Sequence, residues 1–135
     1  MEIVTYDFTI RGDERGSLIA IEENKDVPFP IKRIYYIFDV HDEATRGMHA
    51  HKTLRQVLVC VKGSCKILLD DGYERKSVAL SEASRGLLVN VMVWHEMYDF
   101  SSDCVLLALA SDFYDENDYI RDYPAFLELA NAQGK

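Results

Sequence analysis

This chain of 135 residues predicts an all-β fold, an antiparallel sandwich or barrel of short strands with one short C-terminal helix. Three observations carry that reading. Apolar residues recur at period two or in short β-branched and aromatic runs. Turn residues bound those runs at the close spacing of a sandwich or barrel. A helix-compatible stretch appears only late, at 124–132. The length is that of one domain, taken as residues 1–135, and 48% hydrophobic residues suffice for one core.

Taken in order, the first element is a strand around 3–10 (IVTYDFTI). There Val4, Tyr6, Phe8 and Ile10 alternate with Thr5, Asp7 and Thr9, so one face is apolar and would be adhesive if uncovered. Strands follow at 17–22 (SLIAIE), 31–38 (IKRIYYIF), 55–61 (RQVLVCV) and 64–69 (SCKILL). Lys62-Gly63 and Asp70-Asp71-Gly72 are turn signals, which make a meander of hairpins. Further strands are read at 76–80, 86–89 and 105–110, the last (VLLALA) apolar throughout and buried on both faces. Beyond Ser111 the chain turns polar and aromatic, and Pro124 suits the first turn of the final helix, where its missing N–H costs nothing. No linker, repeat or low-complexity tract divides it.

Composition excludes several classes. A formal net charge of −8 is unsuited to a general nucleic-acid or membrane-surface binder, which needs positive charge to displace counterions. A local cluster of basic groups could still hold an anionic ligand. Cys60, Cys65 and Cys104 are odd in number and without CxxC spacing, so neither a disulfide framework nor a zinc ribbon is expected. The start MEIVTYDFTIRG carries Asp7 and no basic flank to a long apolar run, so no signal peptide is expected; nor is there a membrane span. A cytoplasmic protein with reduced thiols is the expectation.

The chemistry concentrates on histidine. His41 falls in a polar loop, but His49 and His51 in RGMHAHK stand at i and i+2, which on a strand puts both imidazoles on one face. Such a pair serves a metal, serves proton transfer, or is merely two exposed side chains. The order Gly47, His49, His51, Gln56, Gly63 is similar to the first cupin motif, with Gln56 where a Glu is usual and Gly47 nearer the histidines than usual. Gly86 to His95 echoes the second motif, with Met92 where a Pro often stands. The fold class implied is a cupin-type antiparallel β-barrel, or jelly roll. Cupins usually hold a divalent metal by three His and a Glu; a neutral amide in place of the carboxylate disfavours one, so no metal is expected.

Three longer strings, DERGSLIAIEENKDVPFPIKRIYYIFDV, RGMHAHKTLRQVLVCVKGSCKILLDDG and VWHEMYDFSSDCVLLALASDFYDENDYIRDY, together resemble the TDP-4-keto-6-deoxy-D-glucose 3,4-ketoisomerases over residues 13–123. The resemblance implies a metal-independent enzyme without cofactor, a TDP-linked sugar as ligand, and a homodimer that exchanges N-terminal strands. It also implies work in deoxy-amino-sugar biosynthesis for surface glycans such as lipopolysaccharide or S-layer chains. It places His49 and His51 as the proton-transfer pair, with Tyr35, Arg15 and His95 in the same pocket. An Arg at 15 and a His at 95 are similar to the subgroup whose 3-keto product has the galacto configuration.

The residues agree as far as they go. Arg33 and Tyr35 alternate onto one face of their strand. Taken alone, Tyr35 reads as a core aromatic, Arg15 as a turn residue and Arg33 as a surface charge. Moving a proton between neighbouring carbons calls for groups that titrate near neutrality, as histidine does, and the charge that grows on the C4 oxygen calls for a donor, Tyr35 or one histidine, so Tyr35 is counted with His49 and His51 as catalytic. No GxGxxG offers a nicotinamide site. A diphosphate needs basic side chains, and Arg33, Arg46, Lys52, Arg85 and Arg121 are the pool, unranked. Competing readings are a metal-dependent cupin with His49, His51, Gln56 and His95 as ligands, a nucleotide-sugar 3,5-epimerase, and a non-catalytic sugar-binding barrel.

Overall fold

The computed structural model describes residues 1–41 and 43–132. Twelve strands form two five-stranded sheets and a small hairpin, all paired antiparallel. In chain order they are β1 (Thr5–Asp7), β2 (Arg11–Asp13), β3 (Gly16–Leu18), β4 (Arg33–Ile37), β5 (Arg46–His51) and β6 (Gln56–Lys62). Then come β7 (Cys65–Asp70), β8 (Arg75–Leu80), β9 (Arg85–Val89), β10 (Trp94–Tyr98), β11 (Val105–Ala110) and β12 (Tyr119–Ile120), and the helix α1 (Tyr123–Ala132). The first sheet has the order β1-β9-β6-β11-β4, the second β12-β5-β10-β7-β8, and β2 pairs β3. This is the all-β jelly roll with a short C-terminal helix that the sequence predicts.

Period-two patterning puts one face of each sheet inside. Leu58, Leu87, Val89, Leu106 and Ala108 of the first sheet meet Ile67, Leu69, Leu80 and Met97 of the second in one buried cluster. Each outer face is covered separately. On the first sheet, Val57, Val59 and Leu109 pack under Phe8, Val27 and Phe29, with Ile19, Ile21 and Ile31 at the margin. The predicted strand at 17–22 is therefore corrected: ladder pairing stops at Leu18, and the alternating isoleucines beyond it pack against the sheet's outer face instead.

On the second sheet, Ala50, Trp94 and Ile120 pack against Phe126 and Ala130, four residues apart on one face of α1. Asp122 caps that helix, its carboxylate accepting from the Ala125 N–H at 3.0 Å. Phe126 is fully buried, and removing such an aromatic from water contributes about 1.5–3 kcal/mol. The covered face gives β5 its character: His49 and His51 turn inward while Ala50 between them is buried against the helix side. Within the chain, β1 pairs with β9, Thr5 opposite Leu87.

Candidate active site

The histidines owe their placement to a bulge. Along the β5–β10 ladder His49 faces His95, but Gly47 faces the very next residue, Glu96, so Met48 is an extra residue on β5. Gly47 and Met48 both take positive φ, 83° and 62°. A Cβ on Gly47 would stand 3.1 Å from the His95 carbonyl oxygen, which adds a reason for glycine there. The bulge brings the Gly47 carbonyl back to His49, whose Nδ1 lies 3.0 Å from it. A carbonyl can only accept, so the proton sits on Nδ1 and Nε2 is left as the basic nitrogen. Burial holds the His49 pKa below the usual histidine value, and the Gly47 carbonyl offsets part of that.

A one-way chain of hydrogen bonds fixes a second imidazole. His95 Nδ1 lies 3.2 Å from the Val93 carbonyl and must donate to it, so its Nε2 is an acceptor. Gln56 Nε2 donates to that nitrogen at 3.1 Å, and Gln56 Oε1 accepts from the Tyr35 hydroxyl at 2.8 Å. The Val93 carbonyl thus sets the direction of every bond back to Tyr35, whose proton is committed to Gln56. His95 is fully buried, and burial with the neighbouring His49 pushes its pKa down to about 3. Burial, with Tyr119 nearby, pushes Tyr35 up to about 12.

His51 has a different partner. Its Nδ1 lies 3.3 Å from Asp118 Oδ2, though off the line a hydrogen bond requires, and has no other partner among the described residues. Burial and then His49 lower its pKa to about 4, against the opposing pull of Asp118. Burial raises Asp118, but the Thr53 hydroxyl and the backbone N–H groups of Thr53 and Leu54 outweigh that and hold the carboxylate ionised. The three rings are close: centroids of His49 lie 4.9 Å from His51 and 4.6 Å from His95. A charge on one disfavours a charge on the others.

A cavity of about 440 Å³ opens over this cluster, lined by Arg33, Tyr35, Ile37, Arg46, His49, Met97, Tyr119 and Arg121, with Thr45 and Gly47. Its wall is cationic. The Arg33 guanidinium lies over the rings of Tyr35 and Tyr114, and its Nε is buried with no hydrogen-bond partner among the described residues. Arg121 is held by Glu116 at 2.7 and 3.0 Å and lies over Tyr119 at 4.3 Å.

Of the residues singled out from the sequence, the structure brings Tyr35, Arg33, Arg46, His49 and Arg121 to the cavity and sets His51 and His95 behind it. Three lie elsewhere in this chain, one of them Arg85, which opens β9 with its Nε 3.9 Å from Asp7. Arg15 sits on the β2–β3 turn, its side chain 86% exposed and paired with Asp13. Lys52 donates to the Asn117 carbonyl at 3.3 Å and so braces the turn that carries Asp118, away from the cavity lining. Sequence reasoning missed Tyr119, whose ring touches both His51 and His49, and Asp118. The spacing of Tyr119 and Arg121, two apart beside a strand, was the available signal.

His49, His51 and His95 each offer a nitrogen within 4.8 Å of the others, the donor set of a cupin metal. The surroundings fit poorly. Gln56, oriented by Tyr35, aims an N–H at the His95 lone pair a metal would need, and Gln56 carries no charge to offset a cation.

Residues 1–131 match the family model described as FdtA: WxcM-like, C-terminal. The chain belongs to the FdtA family. This FdtA-family chain is 61% identical over 126 residues to a TDP-4-oxo-6-deoxy-alpha-D-glucose-3,4-oxoisomerase of Aneurinibacillus thermoaerophilus, covering 93% of this chain and 91% of the relative. Among solved structures, a 3,4-ketoisomerase from Helicobacter canadensis is 50% identical with a TM-score of 0.94, over 97% of this chain and 98% of that one. The sugar 3,4-ketoisomerase QdtA from Thermoanaerobacterium thermosaccharolyticum, solved in complex with TDP, is 45% identical with a TM-score of 0.95, over 98% and 97%. A mutant of QdtA is solved with TDP-4-keto-6-deoxyglucose. The family resemblance and the cupin-type fold expected from the sequence are borne out, and this FdtA-family chain is an isomerase.

Proposed function

We propose that this chain converts TDP-4-keto-6-deoxy-D-glucose to its 3-keto isomer by histidine-mediated proton transfer, without metal or cofactor. The observation that carries the mechanism is His49, an imidazole with Nδ1 tied to the Gly47 carbonyl and a free basic nitrogen, on the wall of an arginine-lined cavity. His49 removes the proton on C3, beside the C4 ketone. His51 is the second relay, and Asp118 at 3.3 Å stabilises its protonated form. The enediolate collapses as C4 gains a proton and the C3 hydroxyl loses one, so atoms and electrons balance within the sugar. Mutual repulsion keeps the histidines from being charged together, which suits passing one proton along.

Arg33, with its buried unpartnered Nε, and Arg46 take the diphosphate; Arg121, held by Glu116, shapes the wall with Tyr119. Tyr35 offers the sugar its hydroxyl oxygen as an acceptor, since its proton is committed to Gln56. The enediolate is therefore stabilised by the histidines. The product serves deoxy-amino-sugar biosynthesis in the cytoplasm for a surface glycan.

The active form is a homodimer. The outer face of edge strand β4 leaves Ile34, Tyr36 and Phe38 more than half exposed, an apolar strip that a second copy would cover. Exchange of N-terminal segments would carry Arg15 of each chain to its partner's cavity, a reach it lacks here. With His95 beneath the sugar, Arg15 biases protonation toward the galacto product; about 1.4 kcal/mol between the two faces gives tenfold selectivity.

The test is incubation with TDP-4-keto-6-deoxyglucose in D2O, followed by NMR of the sugar carbons. A new C3 ketone is expected, and an unchanged C4 ketone overturns the reading. Trapping by a 3-aminotransferase then reports configuration: small H3–H4 and H4–H5 couplings are expected, and large ones refute galacto. Light scattering giving a monomer mass at micromolar concentration refutes the dimer.

A further inference from the structure

The barrel interior holds a second cluster of donors, remote from the histidines. Gln56, Leu58 and Cys60 alternate onto the inward face of β6. Gln56 at one end reaches His95; Cys60 lies about 13 Å farther on, at roughly 3.3 Å per residue. Cys65 opens β7, and Cys104 stands one residue before β11. All three are buried, at 1%, 2% and 3% exposure. Their sulfurs lie within 4.8 Å of one another, and those of Cys60 and Cys104 are 3.6 Å apart.

We propose that Cys60, Cys65 and Cys104 form a tri-thiolate site for a soft divalent cation of the zinc class at the end of the barrel opposite the histidines. Metal–sulfur bonds of about 2.3 Å place three sulfurs roughly 3.8–4.0 Å apart, so the spacing here needs only small adjustment. The frame is built. Ser64 N–H donates to Ser101 Oγ at 2.9 Å, Ser101 N–H to the Ser64 carbonyl at 2.8 Å, and Cys104 N–H to the Ser101 carbonyl at 3.1 Å. These bonds tie the turn after β6 to the loop before β11, and so fix the three cysteines relative to one another. A Cβ on Gly63 would strike Ser101 Oγ, which keeps that turn closely packed.

Charge selects the ion. Three thiolates with a divalent cation leave a single net negative charge in the core, whereas a monovalent cation leaves two. Sulfur donors favour zinc and cadmium over magnesium or calcium. The reaction balances as one cation displacing three thiol protons, with no change of oxidation state. Cys104 also lines a cavity of about 340 Å³ with Lys62, Ser102 and Asp103, beside Tyr36 and Phe38 of the strip that a second copy would cover.

The experiment is titration of the reduced, chelator-treated protein with Cd²⁺, read by the ultraviolet thiolate-to-metal band and by proton release. One Cd²⁺ per chain is expected, with release of the thiol protons that the ion displaces. Zinc should compete, Cys104→Ala should weaken binding by roughly 100-fold or more, and His49→Asn should leave the band unchanged. X-ray absorption of the wild-type zinc form, which needs no variant to fold, should show three sulfurs at about 2.3 Å. No stoichiometric band, a band that survives in Cys104→Ala at full strength, or a shell of nitrogen and oxygen alone overturns the proposal.

Discussion

Acid should unfold this protein through its buried histidines, and His95 is where the effect is best isolated. Folded, its pKa is pushed down to about 3 by burial and by His49; unfolded, it returns to the ordinary value near 6.5. Between those values the unfolded chain binds the proton and the folded chain does not. The contribution to stability is therefore complete above pH 6.5 and is lost as pH falls toward the folded value. Each pH unit in that window removes about 1.4 kcal/mol, so His95 alone withdraws on the order of 3 kcal/mol by pH 4. His51, lowered to about 4 chiefly by burial, adds a loss of the same sign and similar size. Urea unfolding of wild type and of His95→Gln at pH 7.5, 6, 5 and 4.5 measures it. The variant starts lower but should lose about 2 kcal/mol less than wild type between pH 6 and 4.5. Parallel profiles, or a His95 ring proton that titrates near 6.5 by NMR, would refute the reasoning.

His49→Asn should fold normally by circular dichroism and lose about 100-fold or more in turnover, because among the described residues no other imidazole combines a free nitrogen with a place on the cavity wall. The same base must be neutral to act, so kcat/KM should be flat above pH 6.5 and fall below it, with a midpoint under the ordinary histidine value; a midpoint above 7 would contradict this. Activity should survive exhaustive EDTA treatment, and loss restored by one added metal would show that the Gln56–His95 bond does not exclude an ion. Arg33→Ala should raise KM for the TDP-sugar by at least about tenfold with a smaller change in kcat, checked by steady-state kinetics, if its proposed target is the diphosphate and not the reacting carbons.

Much of the fold was legible because period-two alternation, or a short unbroken apolar run such as 105–110, marks a strand. It did so for 31–38, 55–61, 64–69, 76–80 and 105–110, each of which overlaps a strand of the structure. It failed at 19–22, where isoleucines alternate for packing on a sheet face and pair with no neighbour. It was silent on β10, because Trp94–Tyr98 mixes buried His95 and Met97 with polar Glu96. Period two says which residues share a face and nothing about what lies across from them.

The same division runs through the site. The i, i+2 pairing of His49 and His51 and the amide at Gln56 are local facts, present in the sequence and preserved by any strand that contains them. The roles of these residues depend on partners far along the chain. The Val93 carbonyl orders the chain from His95 through Gln56 to Tyr35, and Asp118 meets His51 across 67 positions. Register decides the rest. One extra residue at Met48 aims His49, and the same pairing of sheets carries Cys60, Cys65 and Cys104, which show no metal-binding spacing in sequence, to within 4.8 Å of one another. A sequence specifies side chains and the local period of the backbone; distances between residues far apart in the chain exist only once the strands have paired and the sheets have closed on their core.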